Sequence, residues 1–433
     1  MDDKLSRRNT IIILLIGLAG NLAWAIENQF YNVFMYEEIA PKPIYISIMV
    51  GASAITAAIT AIIMGAISDI KAKRRIYMLY GFALWAITTA IYPVAAWIQI
   101  PLIAVTVAII FDCIMTYFGS TAFDAAFNAY ITDITTVKNR GKGMGVLQLT
   151  MLFSTLIVYG MAGIIVESIG FYNFFYIMGA VVGALGVLGA YLSEDPADLK
   201  PSGLSLQNQI KNTYKMDVIR KNKDIFLILI GMLIWATAFN VFFPFILIFL
   251  EYYWGLDFMT AAIVVFIGFI INLILAYPIG SVIDKIGRKR ITILCVICNA
   301  ISLIFFIISA NLILLIIGGV LTQFFMTGWN IAANAWMRDL FPKKARGQFS
   351  GYYVLFAATL PMIIGSAIGG ILSETFGNPI VIDGIPGFVP NWVIFVVAAF
   401  IMLPAVIPLF YAKEKPPKLG QEQIDEEIID AKY

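Results

Sequence analysis

Three carboxylates lie in segments otherwise too apolar to hold a charge: Glu27, Asp112 and Asp124. The chain contains no histidine, and no Lys or Arg falls within those segments. A carboxyl group taken out of water favours its neutral form, so it can take up a proton on one side of a barrier and release it on the other. Asp124 is the favoured carrier. It precedes Asp133 by nine residues, roughly 13 Å along a helix, which sets it near the middle of its segment. Glu27 lies seventeen residues past Thr10, roughly 25 Å in. Asp112 is the third candidate; at helical spacing it points roughly 120° away from Asp124, and it lies nearer the outer end of its segment.

Amides and aromatic rings accompany the acids. Trp24, Asn28, Tyr31 and Asn32 share one helical face, and Tyr117 and Asn128 share another with Asp124. Trp235, Asn240, Gln323, Trp329, Asn330 and Asn334 repeat these types later in the chain. Together they offer hydrogen bonds to hydroxyls and a flat apolar plate, as a polyhydroxylated ring requires. No embedded cation is available to neutralise an anionic solute. Neither a nucleophile–base pair nor a metal cluster can be read in these segments, so no enzyme, cofactor or metal is expected. The Cys295-x-x-Cys298 pair lies on an apolar helix and reads as packing. No GxxxxGK[ST] loop occurs, which leans against direct use of ATP.

These residues need a frame, and composition supplies it. Hydrophobic residues make up 61% and charged residues 13% of the chain, far from a soluble domain. Twelve runs are long enough to cross a bilayer: 10–36, 44–68, 76–98, 102–132, 144–168, 172–193, 224–251, 258–283, 291–310, 312–337, 349–375 and 391–412. The expected fold is therefore an all-α membrane protein of twelve transmembrane helices. Its organisation reads as a six-helix half over 1–193, a central loop over 194–223, a second six-helix half over 224–412 and a tail over 413–433. That count places 28 of the 29 Lys and Arg on one face and leaves Lys42 alone on the other. By the positive-inside rule the basic face, with both termini, is cytoplasmic, in a multi-pass protein of the cell membrane. The formal charge of +2 hides this asymmetry. A basic face suits anionic lipid headgroups rather than nucleic acid, and a monomer is expected.

The two halves repeat one another. Asn128-Ala-Tyr-Ile-Thr-Asp133, Arg140, Gly141 and Gly145 recur as Asn334-Ala-Trp-Met-Arg-Asp339, Arg346, Gly347 and Gly351, shifted by 206 residues. Gly65-Ala-Ile-Ser-Asp69 with Arg74 and Arg75 recurs as Gly280-Ser-Val-Ile-Asp284 with Arg288 and Arg290, shifted by 215. Such duplication marks a transporter built of internal repeats. Gly65 and Gly280 are read as close helix contacts. Asp69 and Asp284 sit at helix C-termini, where an anion needs a partner, and are read as a gate that pairs only while the basic face is shut. Asp133 with Arg140, and Asp339 with Arg346, form a second tier. Asn330 holds the position that matches Asp124, so the acid is present in one half only.

Six plus six segments, a basic central loop and the G-x-x-x-D hinges resemble the major facilitator superfamily, over nearly the whole chain. Ala72 stands where that family usually has glycine, so a differently shaped turn is expected. Acids in the first and fourth segments, followed by the Asn-Ala-Tyr-Ile-Thr-Asp exit, are similar to glycoside–pentoside–hexuronide:cation symporters and sucrose–proton symporters. The resemblance implies alternating access, with symport of a sugar or glycoside. The acidic pair that the melibiose permease group carries in its second segment is missing between Ala52 and Met64, which favours the proton over sodium. The alternative is an exporter or uniporter of another small molecule, such as a drug or an organic acid.

Overall fold

The computed structural model describes residues 5–135, 139–196, 199, 201, 222–340 and 351–414. Eleven helices are long and apolar enough to cross a membrane. One of them, Arg140–Leu192, is two helices in series. Gly170, at φ 79° and ψ 163°, takes a conformation essentially closed to residues with a Cβ and breaks the rod there. In order these are α1 (Arg7–Ile39), α2 (Pro43–Lys71), α3 (Arg75–Trp97), α4 (Pro101–Ile134), α5 (140–169) and α6 (171–192). The second set is α7 (Lys223–Tyr253), α8 (Phe258–Ile286), α9 (Arg288–Ile307), α10 (Leu312–Leu340), α11 (Gly351–Phe376) and α12 (Val393–Tyr411).

The fold is not purely helical. A hairpin, β1 (Asn378–Ile382) with β2 (Ile385–Val389), joins α11 to α12. Its two-residue turn is Asp383-Gly384, both at positive φ, the sequence pair that a tight hairpin turn favours. The turn after α2 differs in shape from its repeat, as Ala72 in place of glycine implies. Ala72 adopts φ 51° and Gly287, its repeat partner, φ 103°. Alanine thus accepts a left-handed conformation at a cost of about 1–2 kcal/mol, with ψ 43° where Gly287 has ψ 144°.

Several helices carry π-helical turns: Glu27–Tyr31 and Met35–Ile39 in α1, Ser120–Phe127 in α4, Phe249–Tyr253 in α7 and Leu355–Thr359 in α11. A π turn adds a residue to the helical repeat and rotates all that follows, and such turns recur at functional sites. Glu27 and Asp124 both sit on one.

The two halves meet at the face opposite the basic one, here called the acidic face. The Gln29 side chain donates to the Phe243 carbonyl at 2.9 Å. Ser47 donates to the Ser366 carbonyl at 2.6 Å, and the Met259 amide donates to Glu167 at 2.8 Å. The hairpin straps this seam. The Phe388 amide donates to the Pro41 carbonyl at 2.9 Å, and the Tyr36 hydroxyl to the Phe388 carbonyl at 2.9 Å. Gly65 and Gly145, near the basic face, meet nothing within 4 Å. The expectation that Gly65 serves a close helix contact therefore fails in this conformation, which is shut at the acidic face.

The strap depends on Gly387, where an added Cβ would overlap the Pro41 carbonyl. Gly387→Val should lift β2 and lose both Phe388 bonds, roughly 1 kcal/mol each. That shifts a two-state equilibrium by about an order of magnitude. Spin-label distances across the acidic face should lengthen; an unchanged distribution would show that the hairpin straps nothing.

Candidate functional site

The interior of the first half holds a polar cluster built from three helices. Glu27 is 7% exposed. Its Oε1 accepts from the Ser53 hydroxyl of α2 at 2.5 Å and from the Thr116 hydroxyl of α4 at 3.1 Å. Ser53 and Thr116 lie 2.9 Å apart. Oε2 of Glu27 is buried and receives no donor among the described residues. Asp112 joins the same interior, 1% exposed, close enough to interact electrostatically with Glu27. Asp112 is thus part of the packed interior rather than of a cavity wall. The π-helical stretch Ser120–Phe127 separates it from Asp124, so counting in steps of 100° misjudges their relation. Asp124 accepts from the Ser120 hydroxyl at 2.9 Å and stays partly exposed. No salt bridge of these three acids occurs among the described residues.

The solute candidates divide into two groups. Tyr31 and Asn32 are each 1% exposed. Tyr31 stacks on Tyr92 at 3.7 Å and meets Phe175 edge-on. Both residues are core of the first half, because the π turn at Glu27–Tyr31 rotates them away from the face of Trp24 and Asn28. Trp24 packs on Trp85 at 5.1 Å and, like Asn28, stays partly exposed. Asn128 is exposed and donates to the Asp124 carbonyl. Tyr117 is 43% exposed, its hydroxyl near the Met64 sulfur.

In the second half, Trp235 stacks between Trp329 at 5.1 Å and Phe239 at 5.8 Å. The Trp235 indole N–H is buried without an acceptor among the described residues. Asn240 and Asn334 each donate back to the carbonyl four residues earlier, at 2.8 Å, while Asn330 is exposed. Gln323 lines an apolar chamber with Phe239, Phe242, Phe243, Phe306 and Met326. Ser53 and Thr116 were not legible as site residues, since an isolated hydroxyl in an apolar helix gives no spacing signal.

The charged hinges pair differently from expectation. Arg74, 4% exposed, donates to Asp69 at 2.5 Å, to Asp133 at 3.0 Å and to Ser68 at 2.5 Å. In the second half Arg288 pairs with Asp339 and donates to the Ala335 carbonyl. So Asp133 and Asp339 take arginines from the distant hinge. The reason is geometric: each acid lies at the end of its helix, beside the hinge. Arg140 side-chain contacts, the Asp284 side chain and Arg346 lie outside the described residues. Arg75 donates to the Tyr191 carbonyl, and Arg290 is exposed. Arg74 is thus paired in this conformation, whose acidic face is closed.

A further repeat element went unread. Asp195, just after α6, accepts from the Arg74 and Arg75 amides at 2.7 and 3.0 Å. Glu414, just after α12, accepts from the Arg288 amide at 2.6 Å. In each half an acid beyond the last helix caps the third helix, satisfying its free N–H groups. Comparing the two exits could have found it.

The family description "Major Facilitator Superfamily" matches residues 10–285 and 228–428. The chain belongs to the major facilitator superfamily. Its members are not enzymes but transporters of small molecules, and the facilitator fold accounts for the two six-helix halves and the multi-pass membrane character. Solved facilitator structures agree in fold. A nucleoside transporter superposes with TM-score 0.68 at 14% identity, over 94% of this chain and 99% of that one. A D-xylose–proton symporter gives 0.68 at 16%, over 94% and 96%. The inward-open xylose transporter from E. coli gives 0.65 at 15%, over 96% and 98%. In sequence, the Multidrug resistance protein 2 of Bacillus subtilis (strain 168) is 23% identical over 258 residues, 58% of this chain and 62% of that protein, less than two thirds of its length.

Proposed function

We propose that this facilitator is a proton-coupled symporter of a small neutral solute, a sugar or glycoside, working by alternating access. The observation that carries the reading is Glu27, sealed inside the first half by two hydroxyls and with no cation beside it. A carboxyl in that setting can hold a proton while the site is closed and exchange it when water enters. Asp124, partly exposed on the neighbouring π turn, is the natural relay to the cavity. The geometry thus favours Glu27 as the carrier and Asp124 as its route, the reverse of the weighting drawn from helical spacing alone.

Trp24, Asn28, Asn128, Asn240, Gln323 and Asn330 would bind the solute, with the Trp235–Trp329 stack as the wall beneath them. The likeness to glycoside–pentoside–hexuronide and sucrose symporters supports a sugar. On this reading the basic face is cytoplasmic, in the cell membrane, and the conformation seen is the one closed to the outside. The paired hinges would serve as rigid braces within each half.

A second reading rests on the phenylalanine-rich chamber behind Gln323. It suits an amphiphile better than a sugar, as does the name of the Bacillus relative. Uptake into proteoliposomes separates the two. Labelled mono- and disaccharides should accumulate when the external side is more acidic and should not when the gradient is collapsed. Accumulation of lipophilic dyes under the opposite gradient, with none of the sugars moved, would replace the first reading with the second.

A further inference from the structure

The acidic face holds a contact between two acids that the transport reading does not use. Glu37 ends α1 and Glu251 ends α7, the first helices of the two halves, 214 residues apart in the chain. Each lies on a π-helical turn. Their side chains interact across the seam, with that of Tyr252 beside them. The Tyr36 ring packs against Tyr252 at 5.3 Å and shields the pair. One oxygen of each acid, Oε1 of Glu37 and Oε2 of Glu251, is buried with no N–H or O–H donor among the described residues. Two carboxyl groups can bond to each other only with a proton between them.

The surroundings offer no substitute for that proton. Glu38 is exposed beside Glu37, with Asp383 near it. Glu374 accepts from the Ile44 amide and Glu167 from the Met259 amide. Asp257 accepts from the Thr260 amide and hydroxyl. All are anions, and Tyr36 and Tyr252 are neutral. The one cation of this face, Lys42, lies over the Tyr45 ring at 5.7 Å.

We propose that Glu37 and Glu251 form a second proton-binding site, one acid from each half, whose shared proton holds the acidic face closed. When the halves part, both acids meet water and ionise separately. The closed state therefore holds one proton more than the open state, so acid favours closure and a rise in pH favours opening. The site acts on the conformational equilibrium directly and needs no solute.

The test uses the full chain in nanodiscs, with spin labels at Ile100 and Ile308. These are exposed loop residues at the acidic ends of opposite halves. Pulsed-dipolar distances should shift to longer values as pH is raised from mildly acidic to mildly alkaline. Glu37→Gln and Glu251→Gln each supply an amide N–H in place of the proton, so either should keep the short distance at every pH. Glu38→Gln, at an exposed acid beside the pair, should keep the wild-type response. A wild-type distribution that ignores pH would overturn the proposal, and so would a response that survives in both Glu37→Gln and Glu251→Gln. Loss of the response in Asp124→Asn, with Glu37→Gln and Glu251→Gln still responding, would assign the effect to the coupling acid instead.

Discussion

Glu27→Gln should abolish proton-driven accumulation while leaving solute exchange across the membrane intact. At one proton per solute, a one-unit pH gradient sustains about tenfold accumulation, equivalent to about 1.4 kcal/mol, and the variant should reach none of it. Glutamine preserves the size of the side chain and can still bond Ser53 and Thr116, so folding should survive. What it removes is the ability to exchange a proton. Asp124→Asn should slow accumulation rather than prevent it, because Asp124 is more exposed and bonded only to Ser120 through a 2.9 Å contact among those described. Infrared spectra offer a check that needs no solute, since the carbonyl band of a protonated buried carboxyl should vanish in Glu27→Gln. Full gradient-driven accumulation in the Glu27→Gln/Asp124→Asn double variant would remove both acids from the mechanism.

Arg74→Ala should produce the largest loss of stability of any single charge removal on the basic face. The guanidinium is buried, and it serves Asp69, Asp133 and Ser68 at once. Removing one partner of a buried pair costs about 3–5 kcal/mol, and the 41% exposure of the Asp69 side chain sets the expectation at the lower end of that range. Arg74→Lys should recover little, because an ammonium cannot reach two carboxylates and a hydroxyl in forked geometry. Arg288→Ala should cost less, since Arg288 and Asp339 are 26% and 42% exposed. Thermal unfolding in detergent measures both. Equal, small losses at the two positions would reduce Arg74 to a surface charge.

These charges also show how far residue spacing carries an argument. The repeat shift of 206 residues identified Asp133 and Asp339 as equivalent, and both are paired. Yet spacing within a motif did not reveal that the hinge arginines Arg74 and Arg288 serve these acids. Sequence distance ranks neighbours along the chain, whereas the hinge of Arg74 arrives from another helix.

The sequence by itself determined the twelve spans and the internal duplication, because bilayer thickness and hydrophobicity leave few alternatives for a chain so apolar. It also singled out Glu27, Asp112 and Asp124, since an ionisable group in hydrocarbon stands out against everything around it. Tertiary structure alone decided which way those groups face. Five π-helical turns rotate the helices by amounts that no regular period foretells, and Tyr31 and Asn32, at the first of them, are buried. The hydroxyls of Ser53 and Thr116, and the meeting of Glu37 with Glu251, likewise depend on contacts between distant helices. A single sequence encodes such contacts only through the packing of the whole fold.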